Sequence, residues 1–442
     1  MRKILILGAG RSSFVLIKYL LEHAEQNNWF VRIADFSEDL AQKVLGSSKH
    51  GDAISFDVNN KIQRENEIRK SDIVISMLPP NMHILVAEDC IAFRKNLVTA
   101  SYVSDDIKKL DQKAKKAGII LLNEIGLDPG IDHMSAMKVI DQIKDASNEL
   151  ISFKSYCGGL IHPEFDNNPW NYKFTWNPRN VVLAGQGVAK YIENRDYKYI
   201  PYSRLFRHVD AVNILDAGEF EGYANRDSLA YKKSYGLQDI QTLFRGTLRR
   251  KGYCSSWDLL IQLGVTDDSY KIQDSIDMTY REFTNLFFPF DSKLTVEEKF
   301  CKYLAVSYDS DEFSRIKWLG LFSNERIELD NVSPAEILQK LLESKWSLSP
   351  QDKDMIVMQH QFIFHAKGEL TRLNSSLVVY GEDSQRTAMA KTVGLPVAIA
   401  TKLILNKIIC LTGVRIPTEK DIYLPILEEL EENKINFIEE LV

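Results

Sequence analysis

The sequence predicts an α/β fold built on an N-terminal parallel sheet, and three observations carry that prediction. Short apolar β-rich runs alternate with helical patterns over the first 125 residues, the signature of strands joined by crossover helices. A Gly-x-Gly turn follows the first apolar run directly and opens a helix. After Pro129 the texture changes: Gly, Pro, Asn and aromatic residues crowd Tyr156 to Arg179, which marks a second domain of a different kind.

Six strands are expected in the first region, over Lys3–Leu7, Phe30–Ala34, Asp52–Val58, Asp72–Leu78, Asn96–Ala100 and Ile119–Asn123. Between them Val15–Glu25, Leu40–Leu45 and Ile107–Ala117 carry apolar residues at helical spacing, the last with Asp105 or Asp106 as a cap. Further on, Lys198–Pro201 and Arg207–Val212 read as β segments, and Tyr280–Phe287, Val296–Ala305 and Pro334–Glu343 as amphipathic helices. Met355–Gly368 and Thr371–Tyr380 form a hairpin turning near Gly368. A long Ala/Ile/Leu-rich helix runs from Thr387 to Leu405, with Gly394–Pro396 as a kink or close-packing point, and the acidic amphipathic segment Ile422–Val442 packs on the surface.

These segments group into four parts: 1–130, a nucleotide-binding domain; 131–268 with 350–386, an α/β domain; 269–349, a helical subdomain; and 387–442, a C-terminal helical segment. A chain of 442 residues exceeds what one hydrophobic core usually supports. With 55 basic and 61 acidic side chains the net charge is −6, and no long run of one sign appears, so nucleic acid and anionic membrane are poor partners. The five cysteines are odd in number and widely spaced, which argues against a disulfide framework or a structural zinc site, and no metal is expected. Only five apolar residues precede Gly8, too few for a signal peptide, so a cytoplasmic location is the expectation.

Gly8, Ala9, Gly10, Arg11, Ser12 and Ser13 sit where a dinucleotide pyrophosphate meets free N–H groups at a helix N-terminus. Gly8 permits the tight turn and Gly10 lets backbone approach phosphate, while Ser13 replaces the usual third glycine. The plain alternative is a strand-to-helix turn without a ligand. Asp35 tips the balance: it closes the second strand 25 residues after Gly10, placed to accept the ribose hydroxyls of NAD and to repel the 2′-phosphate of NADP, its plain alternative being a cap for the helix that follows. Ser76 through Pro80, with Leu78 among them, forms a stiff loop after strand four along the cofactor path. A Rossmann-type domain binding NAD, with NADP as second choice, is therefore expected.

In such sheets chemistry happens beyond the carboxyl ends of the strands, here at Ser101-Tyr102 and Gly126 to His133. Asp128, Tyr102, Cys157, His133 and Lys173 are the candidate acid/base groups. Cys157 reads better as a packed hydrophobe, and His133 as a cap or buried donor. The segment Gly126 to Met137, the runs Tyr156 to Leu160 and Asn168 to Arg179, and the stretches Tyr223 to Leu229, Phe244 to Gly252 and Ala388 to Pro396 resemble the glutamate-forming saccharopine dehydrogenases.

That resemblance implies a Rossmann domain completed by the C-terminal segment, with a mixed α/β substrate and dimerisation domain inserted, and a second copy of the chain as partner in a homodimer. It implies oxidative cleavage of saccharopine to L-glutamate and 2-aminoadipate 6-semialdehyde, or the reverse. Substrate contacts fall on Ser101, Tyr102, Asp128, Arg226, Thr247, Leu248 and Arg249. Cofactor contacts fall on Gly8 to Ser13, Leu127, Asp128, Pro129 and Thr175, beside Asp35 and Leu78. Arginines suit a substrate with three carboxylates, because guanidinium groups make bidentate charge-assisted bonds. The plain alternative for Arg226 is a surface pair with Asp227. Competing functions are a carboxynorspermidine or homospermidine synthase-like oxidoreductase, whose cationic substrate disfavours arginines, and a non-catalytic nucleotide-binding protein of the same fold.

Overall fold

The computed structural model describes residues 1–442, which divide into two compact units. The first comprises Met1–Leu150, His365–Glu369 and Leu377–Glu439. Its strands β1 (Arg2–Leu7), β2 (Trp29–Asp35), β3 (Gly51–Ser55), β4 (Ile73–Ser76), β5 (Asn96–Val98) and β6 (Ile120–Leu122) are the six expected ones; β1 and β2 run slightly longer than expected, β3 starts one residue earlier and ends sooner, and β4 to β6 are trimmed. They lie parallel in the order β6-β5-β4-β1-β2-β3. β1 is central, so Ile4 to Leu7 are buried on both faces. β3 stops early because Asp57 and Asn60 turn the chain: Asp57 Oδ1 accepts from Asn59 N at 2.9 Å, and Asn60 caps the next helix through Gln63 N. β4 stops before Pro79 and Pro80, which have no N–H to give a ladder.

A seventh strand, Gly413–Arg415, pairs with β6 in register Gly413↔Ile120 and was not expected. Two crossover helices were also missed, Lys61–Lys70 and His83–Phe93. The first shows little apolar stripe because only Ile68 of its two buried residues is apolar and the other, Arg64, is charged. Buried Arg64 pairs with Asp89 at 2.6 Å and donates to Val58 O at 2.5 Å, so a salt bridge replaces hydrophobic contact. The cap expected from Asp105 or Asp106 is supplied by Ser104, whose hydroxyl accepts from Ile107 N at 3.2 Å. The two acids follow in the first turn, where the helix dipole favours them.

Helix α1 (Phe14–Glu22) packs against the long helix Ala388–Leu405, capped by Thr387 through Ala390 N. Gly394 is the contact point: a Cβ there would lie 2.8 Å from Leu16 N. By length and composition the long helix is apolar enough to cross a membrane, yet most of it is buried in this unit. Helix Lys420–Glu432 packs behind it, where Lys402 and the Tyr19 hydroxyl both reach Glu429. The end of the expected amphipathic tail is a strand, Ile438–Leu441. Helix Ile131–Asp145, expected to open the second domain, belongs to the first unit, because Tyr423 donates to Asp141 at 2.6 Å and Lys420 pairs with Asp145 at 2.9 Å.

The second unit comprises Ile151–Phe364, Leu370–Ser376 and Glu440–Val442. Its mixed sheet uses β7 (Glu149–Ile161), β8 (Val188–Glu193), β9 (Asp196–Pro201), β10 (Val209–Ile214), β11 (Gly218–Ala224), β12 (Thr242–Arg249), β13 (Asp354–Ala366) and β14 (Glu369–Tyr380). The order is β10-β11-β12-β7-β13-β14, with the β8–β9 hairpin attached to β12. Lys367 and Gly368, both at positive φ, make the turn between β13 and β14. Residues 269–349 are no separate body; they fall inside this unit. Three of their helices open with capping boxes, Thr279/Glu282, Thr295/Glu298 and Ser333/Glu336. An aromatic cluster of Trp170, Trp257, Trp346, Tyr172 and Tyr253 joins them to the sheet, with Tyr253 stacked on Trp257 at 5.6 Å.

Gly394→Val overpacks the α1 contact and is expected to cost about 1–3 kcal/mol. Thermal unfolding is the check, and an unchanged Tm would show that the two helices do not meet as closely as described.

Candidate functional site

β1 delivers the chain to Gly8 at φ +103°, where a Cβ would lie 2.8 Å from Met77 O; only glycine fits the turn. Gly8 N donates to Ala34 O at 2.8 Å. Asp35 reaches back from the end of β2: its Oδ2 accepts from Ala9 N at 2.7 Å and its Oδ1 from Ser37 N at 2.9 Å. Gly10 has nothing within 4 Å of where its Cβ would stand, so the outer side of the loop is open. No side chain caps the helical turns at Arg11–Ser13 or Phe14–Glu22; Ser13 N is taken by Gly10 O at 2.9 Å, so the N–H groups a phosphate would meet are those earlier in the loop. Arg11 is exposed and Ser13 buried, so Ser13 fills the third-glycine place as a packing residue.

At the carboxyl ends of β4 and β5 one imidazole links two hydroxyls. His83 Nδ1 lies 2.8 Å from Ser76 Oγ, and His83 Nε2 lies 2.7 Å from Ser101 Oγ. Burial pushes the His83 pKa down to about 4, so the ring is neutral at physiological pH. The next residue, Tyr102, donates its hydroxyl to Asp128 Oδ1 at 3.2 Å. Behind this pair, Glu124 Oε1 accepts from Val103 N at 2.9 Å and Glu124 Oε2 meets His133 Nε2 at 2.9 Å. The loop Gly126 to Gly130 is folded on itself: a Cβ on Gly130 would sit 2.1 Å from Gly126 O. Leu127 and Pro129 are buried with it, Asp128 is half-buried, and the Asp128–Pro129 bond is cis. The strand-end loops therefore present Ser101, Tyr102 and Asp128 together, with His83, Glu124 and His133 as their support.

In the second unit, β12 buries Arg249, whose residue is 3% exposed. Its guanidinium lies over the rings of Tyr172 at 4.9 Å, Tyr253 at 5.2 Å and Tyr223 at 5.9 Å, and its Nη1 donates to Leu248 O at 2.8 Å. Nε has no hydrogen-bond partner, and no carboxylate among the described residues pairs with it. Burial holds the Tyr223 hydroxyl up at about 12, and it raises Tyr172 and Tyr253 too. The cage is thus neutral and leaves a whole positive charge unbalanced. Such a charge costs several kcal/mol to bury without a partner, and cation–π contact offsets about 2 kcal/mol of that. Thr247 is half-buried beside it on β12 and Leu248 fully buried, while Arg226 is exposed at the end of β11. Asp227 is engaged by Lys190 at 3.3 Å and by Leu229 N at 3.0 Å.

Two family models cover nearly the whole chain: a saccharopine dehydrogenase NADP binding domain over residues 4–122 and a saccharopine dehydrogenase C-terminal domain over residues 126–435. The chain belongs to the saccharopine dehydrogenase family. It is 32% identical to the NADP(+), L-glutamate-forming saccharopine dehydrogenase of Schizosaccharomyces pombe, covering 100% of this chain and 99% of that one. It is 35% identical to the mitochondrial alpha-aminoadipic semialdehyde synthase of Bos taurus, covering 99% of this chain; the chain spans about half, 47%, of that relative's length. The fold superposes on apo saccharopine dehydrogenase (L-Glu forming) from Saccharomyces cerevisiae with a TM-score of 0.90 at 32% identity, over the full length of both. The first unit therefore carries the family's nicotinamide-nucleotide domain, on the loop whose glycines leave room for phosphate.

Of the acid/base candidates, Lys173 is committed elsewhere: it is buried and pairs with Asp352 at 2.7 Å. Cys157 is a buried residue of β7, and His133 is the buried partner of Glu124. Thr175 lies in the second unit with its hydroxyl buried and without a partner. Leu78 is half-buried after β4. Sequence reasoning missed His83 and Glu124, and it placed Ser76 on the cofactor path without its tie to His83. The signal for His83 was a histidine opening a helix directly after the Pro79-Pro80 strand end.

The depressed His83 pKa links stability to pH. The unfolded chain binds a proton near pH 6.5 and the folded one only near 4, so the stabilisation is present above 6.5 and is lost as pH falls through that window. The loss amounts to about 3 kcal/mol. The Tm of the wild type between pH 7 and pH 4.5 should fall further than that of His83→Gln; equal falls would contradict a neutral buried imidazole.

Proposed function

We propose that the chain catalyses the nicotinamide-dependent oxidation of saccharopine at its secondary amine, giving L-glutamate and 2-aminoadipate 6-semialdehyde, or the reverse condensation, in lysine metabolism. The observation that carries this reading is Arg249: a buried, caged guanidinium with no protein carboxylate to balance it. A ligand carboxylate supplies the missing charge through charge-assisted bonds. The full-length relatives, saccharopine dehydrogenases, support the substrate. A polyamine substrate would bring a second positive charge to the same cage.

A nicotinamide nucleotide held at the Gly8–Ser13 loop would supply the hydride acceptor for the lysyl ε-carbon of saccharopine. The chain's own work is orientation and proton handling. Arg249, with Arg226 and Thr247, holds carboxylates; Ser101 donates a hydroxyl; Asp128, kept in place by the Tyr102 hydroxyl at 3.2 Å, holds the reacting nitrogen. Water then cleaves the imine. Once the amine nitrogen has lost its proton and the carbon its hydride, hydrolysis releases glutamate without further redox chemistry.

For the cofactor, the family description and the relatives' names put NADP ahead of NAD. This reverses the order expected from Asp35. The physical reason lies in the loop: both Asp35 oxygens already accept backbone N–H groups, from Ala9 and Ser37. The carboxylate then serves chiefly to hold the Gly8–Gly10 turn, and its charge is partly offset by the two donors.

Arg249→Met keeps the volume and removes the charge. The saccharopine KM is expected to rise about 10- to 100-fold, with cofactor affinity unchanged and stability equal or higher. An unchanged KM in steady-state assays would remove the central support. Asp35→Ala should weaken NADP+ and NAD+ alike by about tenfold, the worth of one charged hydrogen bond to the loop. A change confined to the ratio between the two cofactors, read from their KM values, would show instead that Asp35 reads the ribose.

A further inference from the structure

We propose that His83 is a positioning residue for substrate binding, whose imidazole turns the Ser101 hydroxyl outward as a hydrogen-bond donor to a substrate carboxylate. The proposal rests on the reading that saccharopine is the substrate and that Ser101 touches it. It adds a residue that neither the motifs nor the relatives' names assign.

The geometry fixes the direction of every proton in the chain Ser76–His83–Ser101. β4 and β5 are neighbours, paired Ile75↔Val98, and His83 enters the gap beyond their carboxyl ends from the first position of its helix. Ser76 is 0% exposed and its Oγ has one side-chain partner, His83 Nδ1. A neutral imidazole has one donor and one acceptor nitrogen. If Nδ1 carried the proton, Ser76 would accept it and its own hydroxyl hydrogen would be buried without an acceptor, a penalty that native interiors avoid. Ser76 therefore donates to Nδ1, and the proton sits on Nε2.

Nε2–H then donates to Ser101 Oγ at 2.7 Å, so the Ser101 oxygen is an acceptor on its inner side. Its own hydroxyl hydrogen is left to point away, toward the open side of the strand ends, where Ser101 is half-exposed and has no other side-chain partner. A donor at that place suits a substrate rich in carboxylates. The opposite tautomer would present a lone pair and repel one. The arrangement persists across the working range because burial keeps the ring from taking a second proton.

The test uses the full chain with its cofactor. His83→Ala is expected to raise the saccharopine KM roughly tenfold, with a smaller change in kcat and no change in NADP+ affinity. His83→Gln keeps an amide donor facing Ser101 and should recover most of the loss, which a merely structural tie between strands would not show. In the Ser101→Ala background, adding His83→Ala should cost nothing more, because the two act as one unit. Losses that multiply, or a glutamine variant no better than alanine, overturn the proposal. Should the wild type leave saccharopine untouched, it is the functional reading that fails. Nitrogen NMR of labelled histidine then still decides the tautomer: a protonated Nε2 is expected, and a protonated Nδ1 overturns the assignment.

Discussion

The close approach of Gly8 to the Met77 carbonyl, locked by the Asp35 carboxylate on Ala9 N at 2.7 Å, sets the position of everything else in the first unit. Because the turn admits no Cβ and holds a left-handed φ, the chain leaves β1 in one direction only, and α1 begins with its N–H groups aimed past the strand ends. Gly394 repeats the constraint from the other side. Its missing side chain lets the long C-terminal helix lie against Leu16, so residues nearly 380 positions apart in sequence fix the same helix. A nucleotide-binding loop held this tightly is preorganised, and binding spends little on ordering it.

The second unit answers a different problem with the same economy. A buried cation is normally paired, and Arg64 in the first unit is, with Asp89 at 2.6 Å. Arg249 is not, and three neutral tyrosine rings stand where a carboxylate would be expected. The contrast between these two arginines separates a structural pair from a charge held in readiness. Stability is given up at Arg249, and under the proposed function the return is affinity for a carboxylate of the substrate.

Much of this was legible in the sequence, and the rest was hidden for identifiable reasons. The six strands showed as β-rich apolar runs because a parallel sheet is buried on both faces. The Gly8–Ser13 loop and Asp35 showed because their roles depend on spacing along the chain. Gly413–Arg415 was invisible, since three residues carry no period and its partner β6 lies far away in sequence. The helix Lys61–Lys70 was hidden because one of its two inward residues, Arg64, is charged and leaves Ile68 as the only buried apolar side chain. His83 was passed over, and Ser76 was seen only as part of a stiff loop, because the meaning of both lies in a chain of contacts to Ser101, across two strand ends, that no local pattern encodes. Asp35 was read as a ribose ligand or a cap for the following helix, and its grip on Ala9 N stayed hidden because it is likewise a contact between strand ends.

The central claim is that the glycine turn at the end of β1 holds the phosphates of a nicotinamide nucleotide, and equilibrium titration of the full chain with NADP+ and NAD+ tests it most directly. The account predicts saturable binding of a nicotinamide nucleotide by the wild type and a loss of at least about tenfold in Gly8→Ala, whose added methyl meets the Met77 carbonyl. A wild type that binds neither nucleotide, or a Gly8→Ala protein that binds as tightly as the wild type, would contradict it.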